Sequence, residues 1–457
     1  MRLALVVALF AVGLARADGL TAGAFQADIT PPPGVPMAGY YHVRGAEGTH
    51  DPLRAKAIVF EQGGTRVALV GLDLIGTTFG MVADARKLIE AQTGIPGANV
   101  MISATHSHTG PVLSVGNPRD DAFGGDRTLA VQFMNELPAK IAGAVKEADA
   151  RRKPAKLLHA VGREEGLAFN RRFHMTDGTV GWNPGKKNPK IVRAAGPTDD
   201  AVPLVVVEVD AKPIACYVNF AMHLDTVGGL HYSADYPHTL AKCVADAKGE
   251  SVVTLFTIGT AGDINHINVE SAAAQKGHTE AARIGTRLAA EVLRAWDHLQ
   301  PTEGTLRATT EAIALALPEI SAADVEAAKD VAAKIRADEK PAPKFMDQVK
   351  AFQTLDVQAR LGKPLAVEVQ VISLGRELAW VSLPGEVFVE LGLAIKRGSP
   401  YRTTICAELA NGSVGYIPTR TAYPQGNYEV VSSRCAAGSG EKLVDAALGQ
   451  LRTHYAK

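Results

Sequence analysis

Hydrophobic positions along the chain fall into short unbroken runs separated by polar, glycine-containing turns. Arg66 to Leu72 is rich in Val and Leu and predicts a strand buried on both faces. Met81 to Gln92 has helical spacing and stops at Gly94, with Pro96 just beyond. Asn99 to Ala104 predicts a second buried strand. Strand, helix and strand in that order imply a parallel pair in a layered α/β structure.

Later runs are arranged differently. Leu204 to Val209 and Ile214 to Phe220 flank Asp210-Ala211-Lys212-Pro213, which reads as a hairpin turn. Ser251 to Ile258 is a further strand, and Val367 to Leu374 with Leu378 to Leu383 form a second hairpin about Gly375-Arg376. Helices are expected at 126–149, 272–297, 321–337 and 344–361. The fold class is therefore α/β, with mixed sheets flanked by helices in one large catalytic-size domain, 18–457. The Ala-, Lys- and Asp-rich stretch 320–362, broken at Pro341 and Pro343, reads as a solvated helical insertion.

The first residues change the picture only as to location. Arg2, the apolar run Leu3 to Leu14 and the small residues of Ala15-Arg16-Ala17 follow the order of a cleavable signal peptide, 1–17. A buried strand or an uncleaved anchor fits that order less well, and the run is short for a bilayer. The expectation is a secreted or periplasmic protein whose mature chain begins near Asp18. Cys216, Cys243, Cys406 and Cys435 permit two disulfides in such a compartment, with Cys406–Cys435 the preferred pair, or four buried thiols. Lys and Arg total 48 and so do Asp and Glu, so there is no basic footprint for a nucleic acid.

Chemistry-capable residues cluster where strands end, which is where open α/β sheets bind ligands. The strand at 99–104 runs into Thr105-His106-Ser107-His108, and that at 214–220 into His223-Leu224-Asp225. The strand at 251–258 runs into Gly262-Asp263-Ile264-Asn265-His266, and that at 378–383 into Gly385-Glu386. Each alone has an ordinary reading: an exposed loop, a satisfied core histidine, a turn, a helix N-terminal acid. Two imidazole sites and a carboxylate at separate strand ends together match the usual donor set of a catalytic zinc. Asp73, Asp225, Asp235, His238 and His266 are candidates to orient a ligand or act as a base. His231 and His238 read more readily as surface or rim residues.

The segment Asn99-Val100-Met101-Ile102-Ser103-Ala104-Thr105-His106-Ser107-His108-Thr109-Gly110-Pro111 resembles the signature of the neutral/alkaline, non-lysosomal ceramidases. Further islands are similar in the same order. They include Ala27-Asp28-Ile29-Thr30-Pro31-Pro32, Asn170-Arg171, Asn219-Phe220-Ala221-Met222-His223, Gly262-Asp263 and Leu383-Pro384-Gly385-Glu386. Gly415-Tyr416-Ile417-Pro418-Thr419 and Tyr428 complete the series. The resemblance implies zinc (Zn2+) ligands at His106, His223, Glu386 and Tyr416. It places His108, Arg171 and Tyr428 around the scissile group of an N-acyl substrate, small or lipid. Asp263 reads either as a structural residue that backs the site or as a plain turn residue. Two departures stand out. Asn265 occupies the family's serine position, so zinc-activated water is the expected nucleophile, and the family's C-terminal β-sandwich domain is expected to be absent. The implied activity is amide hydrolysis. The alternatives are another amide or an ester at the same metal site, or a non-catalytic binding protein with the same fold.

Overall fold

In the computed structural model, which describes residues 19–457, the apolar runs become strands covered on both sides. The expected leader, 1–17, lies outside the described residues. The larger sheet contains β1 (Thr21–Asp28), β2 (Arg54–Gln62), β3 (Thr65–Leu72), β4 (Val100–Ala104), β5 (Lys153–Arg163), β6 (Ala201–Val209), β7 (Lys212–Phe220) and β8 (Val253–Ile258). Their order is β8-β7-β6-β5-β1-β2-β3-β4, with Gln300–Thr302 added beside β5. β3 and β4 pair in parallel, as do β7 and β8, while β6–β7 and β2–β3 are antiparallel. The smaller sheet runs β9 (Leu306–Leu315), β10 (Leu365–Leu374), β11 (Leu378–Ser382) and β12 (Thr403–Ala407) in that order. The expected mixed sheets are therefore present.

Alternation of side chains explains why the strands read as continuous apolar runs. In β3, Val67 and Leu69 pack with Trp380 and Ile405 of the smaller sheet. Ala68 and Val70 point the other way, into a core shared with α1 (Phe79–Thr93), α2 (Thr128–Ala150), α3 (Tyr236–Lys248) and α4 (His278–Trp296). The outer face of the smaller sheet is closed in turn by α7 (Val389–Gly398) and α8 (Ser439–Ala456). The result is four layers: helices, sheet, sheet, helices.

Local chemistry sets several boundaries. Thr78 caps α1 by accepting from Met81 N, and Gly94 ends it with φ 73°. The β6–β7 turn is two residues long rather than four, since Val209 pairs with Lys212. Asp210 and Ala211 both take positive φ, 52° and 58°. That is the twist a tight hairpin needs, and an unfavourable one for alanine. Ala211→Gly is expected to raise the urea midpoint by an amount equivalent to about 1 kcal/mol.

The 320–362 segment forms α5 (Ala322–Arg336) and α6 (Phe345–Gln358), packed on each other and on the short helices 118–123 and 428–432. The expected disulfides are not formed: all four cysteines are free. Cys406 and Cys435 share one core but face different carbonyls, Gly392 O and Tyr416 O, each 3.9 Å away. Burial pushes the Cys216 and Cys406 thiols up to about 12, so both are unreactive. No helix among the described residues is long and apolar enough to cross a membrane.

Candidate metal centre and cavity

Five strand or loop ends, drawn from both sheets, meet at one point. His106 follows β4, His223 follows β7, Gly262 and Asp263 follow β8, Glu386 follows β11, and Tyr416 follows β12. A short parallel bridge pairs Glu386 with Tyr416 and Val387 with Ile417. Gly262 allows the β8 loop to lie against this bridge, because a Cβ there would be 2.5 Å from Glu386 O. His106 holds φ 78°, a left-handed conformation that costs energy outside glycine and is typical of functional positions.

The imidazoles are aimed by backbone carbonyls. His106 Nδ1 lies 2.6 Å from Ile75 O, and His223 Nδ1 lies 2.9 Å from Ala261 O. A carbonyl only accepts, so both Nδ1 atoms carry the proton and both Nε2 atoms are turned to the centre. Those two Nε2 atoms stand 3.0 Å apart. Glu386 Oε2 is 3.3 Å from His223 Nε2 and 3.5 Å from His106 Nε2, and His108 Nε2 is 3.2 Å from His106 Nε2. Burial, then Arg171 and His106, hold His223 down to about 3, so it is neutral at physiological pH. Burial opposes ionisation of Glu386, but its contacts with His106 and His223 hold its carboxyl well below the usual range. The donor set therefore fits a borderline divalent metal such as zinc.

The remaining polar residues build outward from that centre. The Arg171 guanidinium is buried, donating to Glu429 Oε1 at 2.8 Å, Gly262 O at 2.7 Å and the Tyr416 hydroxyl at 3.1 Å. Burial and the nearby Glu386 push the Tyr416 phenol well above its usual value, so it remains protonated. The Tyr428 ring packs on Trp182, 4.4 Å away, and on Phe345 of α6, 5.7 Å away, which also pack on each other, and it makes a T-shaped contact with Tyr416. His108 is held down to about 4 by burial and then His106, and its Nδ1 faces Asp225 at 3.9 Å. Asp225 also accepts from the Tyr40 hydroxyl at 2.8 Å and Lys276 at 3.2 Å.

A cavity of about 400 Å³ opens above this centre, with His106, His108, Glu386, Tyr416 and Tyr428 among its lining. Ile75, Phe79, Val112, Leu113 and Leu409 supply apolar wall. Arg119, Arg434, Ser114, Ser413 and Ser432 supply polar wall. Helix α6 borders the rim, where Phe345 packs on Tyr41 and Asp356 pairs with Arg434.

Two sequence candidates lie behind the centre rather than on the cavity. Asp263 accepts from Asn170 Nδ2 at 2.8 Å and Val389 N at 2.9 Å. The Asn265 amide bonds Asn183 at 3.0 Å and accepts from Ile267 N. Others are structural: Asp73 pairs with Lys56, and Asp235 caps α3 and binds Thr226 N and Val227 N. His266 is buried with neither ring nitrogen bonded. Two acids escape a reading by motif. Glu429, fully buried, pairs with both Arg171 and Arg172. Glu408, also buried, accepts from Val387 N at 2.6 Å, and burial with Glu386 nearby drives its carboxyl well above the usual range. An acid inside the apolar run 405–410, and one directly after Tyr428, were the available signals.

No family model matches the chain, and neither does any curated protein. Solved structures do. The neutral ceramidase from Pseudomonas aeruginosa superposes with a TM-score of 0.75 at 18% identity, covering 95% of this chain and 75% of that one. A ceramidase complexed with C2 gives a TM-score of 0.74 at 18% identity, covering 96% and 76%. The chain thus has a neutral-ceramidase-like fold, as the ordered motif islands implied.

Proposed function

We propose that this chain is an exported zinc-dependent hydrolase that cleaves an N-acyl amide bond. The observation that carries the reading is the meeting of the His106 and His223 Nε2 atoms with the Glu386 carboxylate, with His106 and Glu386 lining the cavity. His106, His223 and Glu386 would hold the metal, with the Tyr416 hydroxyl beside them. Bound there, zinc supplies Lewis acidity that brings the pKa of water towards ~7 and polarises a carbonyl.

The chain's own residues complete the chemistry. His108 and the Tyr428 hydroxyl face the cavity as donors to the oxygen of the scissile carbonyl, where negative charge develops. Arg171 does not line the cavity. It acts through Tyr416, fixing that hydroxyl and adding positive charge behind it. Water is the attacking group, because the amide of Asn265 offers no nucleophile. Export rests on the charge, apolar and small-residue order of 1–17.

A second reading keeps the site and replaces the lipid by a small amide or ester. The cavity favours it in one respect: its volume suits a small ligand, and its wall mixes hydroxyls and guanidinium groups with apolar side chains. Assay of the zinc-loaded chain on fluorescent ceramide, short N-acyl amides and esters separates the two. Turnover of ceramide supports the first reading, and turnover of small substrates alone supports the second. No turnover of any, with zinc bound, would leave only a binding protein. Asn265→Ser is expected to leave kcat within about tenfold, since the water mechanism does not use that position. A gain far beyond tenfold would show that a serine nucleophile was needed.

A further inference from the structure

A second group of imidazoles gathers on the surface, and none of its members lines the cavity. Ligand atoms of His50, Asp51 and His278 all lie within 4.8 Å of one another. The His50 and His278 rings overlap, with centroids 3.6 Å apart and 34° between their planes. Separate pieces of backbone hold them there. His50 N and Asp51 N both donate to Tyr232 O, at 2.9 and 3.3 Å. His278 is the first residue of α4, and Gly277 N before it donates to Thr226 O at 2.8 Å.

Two further imidazoles border the group. His238 Nδ1 is 3.9 Å from Asp51 Oδ1. His231 leans over Gly48, where a Cβ would come within 3.1 Å of its Cδ2 and 3.3 Å of its Nε2. Gly48 does not have a positive φ, so the backbone does not require glycine there. What it provides is room for the His231 ring at the edge of the cluster.

The geometry points to a second divalent-metal site of the zinc class, with His50, Asp51 and His278 as donors. Two imidazoles and a carboxylate suit Zn2+, and equally Cu2+ or Ni2+. A tetrahedral zinc with bonds near ~2.1 Å needs donors about 3.4 Å apart. The exposed His50 side chain turns about its own bonds to close the present span. The site is independent of the proposed hydrolytic centre but connected to it. Asp51 accepts from Ser233 Oγ and Ala234 N, both at 2.6 Å. Ser233 O in turn accepts from the hydroxyls of Ser107 and Thr109, at 2.6 and 3.0 Å, on either side of His108. A metal on Asp51 therefore braces the loop that carries His106 and His108.

The test is metal counting on the full chain, stripped with chelator, dialysed against Zn2+ and analysed by plasma mass spectrometry. About two zinc ions per chain are expected, falling to about one in His278→Ala and in His50→Ala with unchanged circular dichroism. His223→Ala should also retain about one, and His223→Ala with His278→Ala none. Equal zinc in the wild type and His278→Ala would overturn the second site. Failure of His223→Ala to lose an ion would instead overturn the hydrolytic centre and leave this one standing. In the His223→Ala background, bound Cu2+ should show an electron paramagnetic resonance spectrum with nitrogen coupling, lost in His278→Ala. A spectrum of hydrated copper alone would count against it.

Discussion

Glu386→Gln is expected to lose the zinc of the cavity floor and to lower kcat/KM by about 10³-fold or more. Both effects follow from removing the one anionic donor next to His106 and His223. Lewis-acid catalysis contributes several kcal/mol, and each ~1.4 kcal/mol is a tenfold change in rate. Metal content and steady-state kinetics of the purified variant check both effects, and a variant that keeps its zinc and wild-type kcat/KM would show that Glu386 is not a ligand.

Glu429→Ala should be the most destabilising single change near the site, by about 3–5 kcal/mol. Its carboxylate is fully buried and neutralises two guanidinium groups that are 6% and 2% exposed. Removing it leaves two buried cations without an anion, a far larger penalty than losing a surface ion pair. Activity should fall as well, because Arg171 loses the bond that aims it at Tyr416. The measurement is a urea melt of the variant against wild type. A shift equivalent to less than about 1 kcal/mol would show that other groups or water neutralise the pair.

How much of this was visible beforehand depends on the range of the interactions involved. Strands such as 65–72, 100–104 and 253–258 were legible because burial on both faces makes them uniformly apolar. Strand 306–315, Leu-Arg-Ala-Thr-Thr-Glu-Ala-Ile-Ala-Leu, was not, since much of it is exposed at a sheet edge. Helix 236–248 was hidden by its weak apolar face and early proline. The residues of the candidate centre were legible one by one, through the H-x-H pair and the acid after the β11 strand.

Their orientation was not legible. The rings of His106 and His223 are aimed by the carbonyls of Ile75 and Ala261, which carry no side-chain signature. Arg171 and Glu429 are 258 positions apart, so no local pattern joins them. The even cysteine count pointed towards disulfides, but Cys406 and Cys435 each turn to a different backbone carbonyl within the same core. The cluster of His50 and His278 escaped for the same reason, since α4 brings together residues more than two hundred positions apart.

Locating the metal tests the proposed zinc centre most directly. Crystals of the chain grown with stoichiometric Zn2+ should give an anomalous-difference peak at the zinc absorption edge. It should lie about 2.1 Å from His106 Nε2, His223 Nε2 and a Glu386 carboxylate oxygen, on the floor of the cavity. A well-ordered cavity floor with no such peak, and the three side chains bonded only to protein or water, would contradict the account.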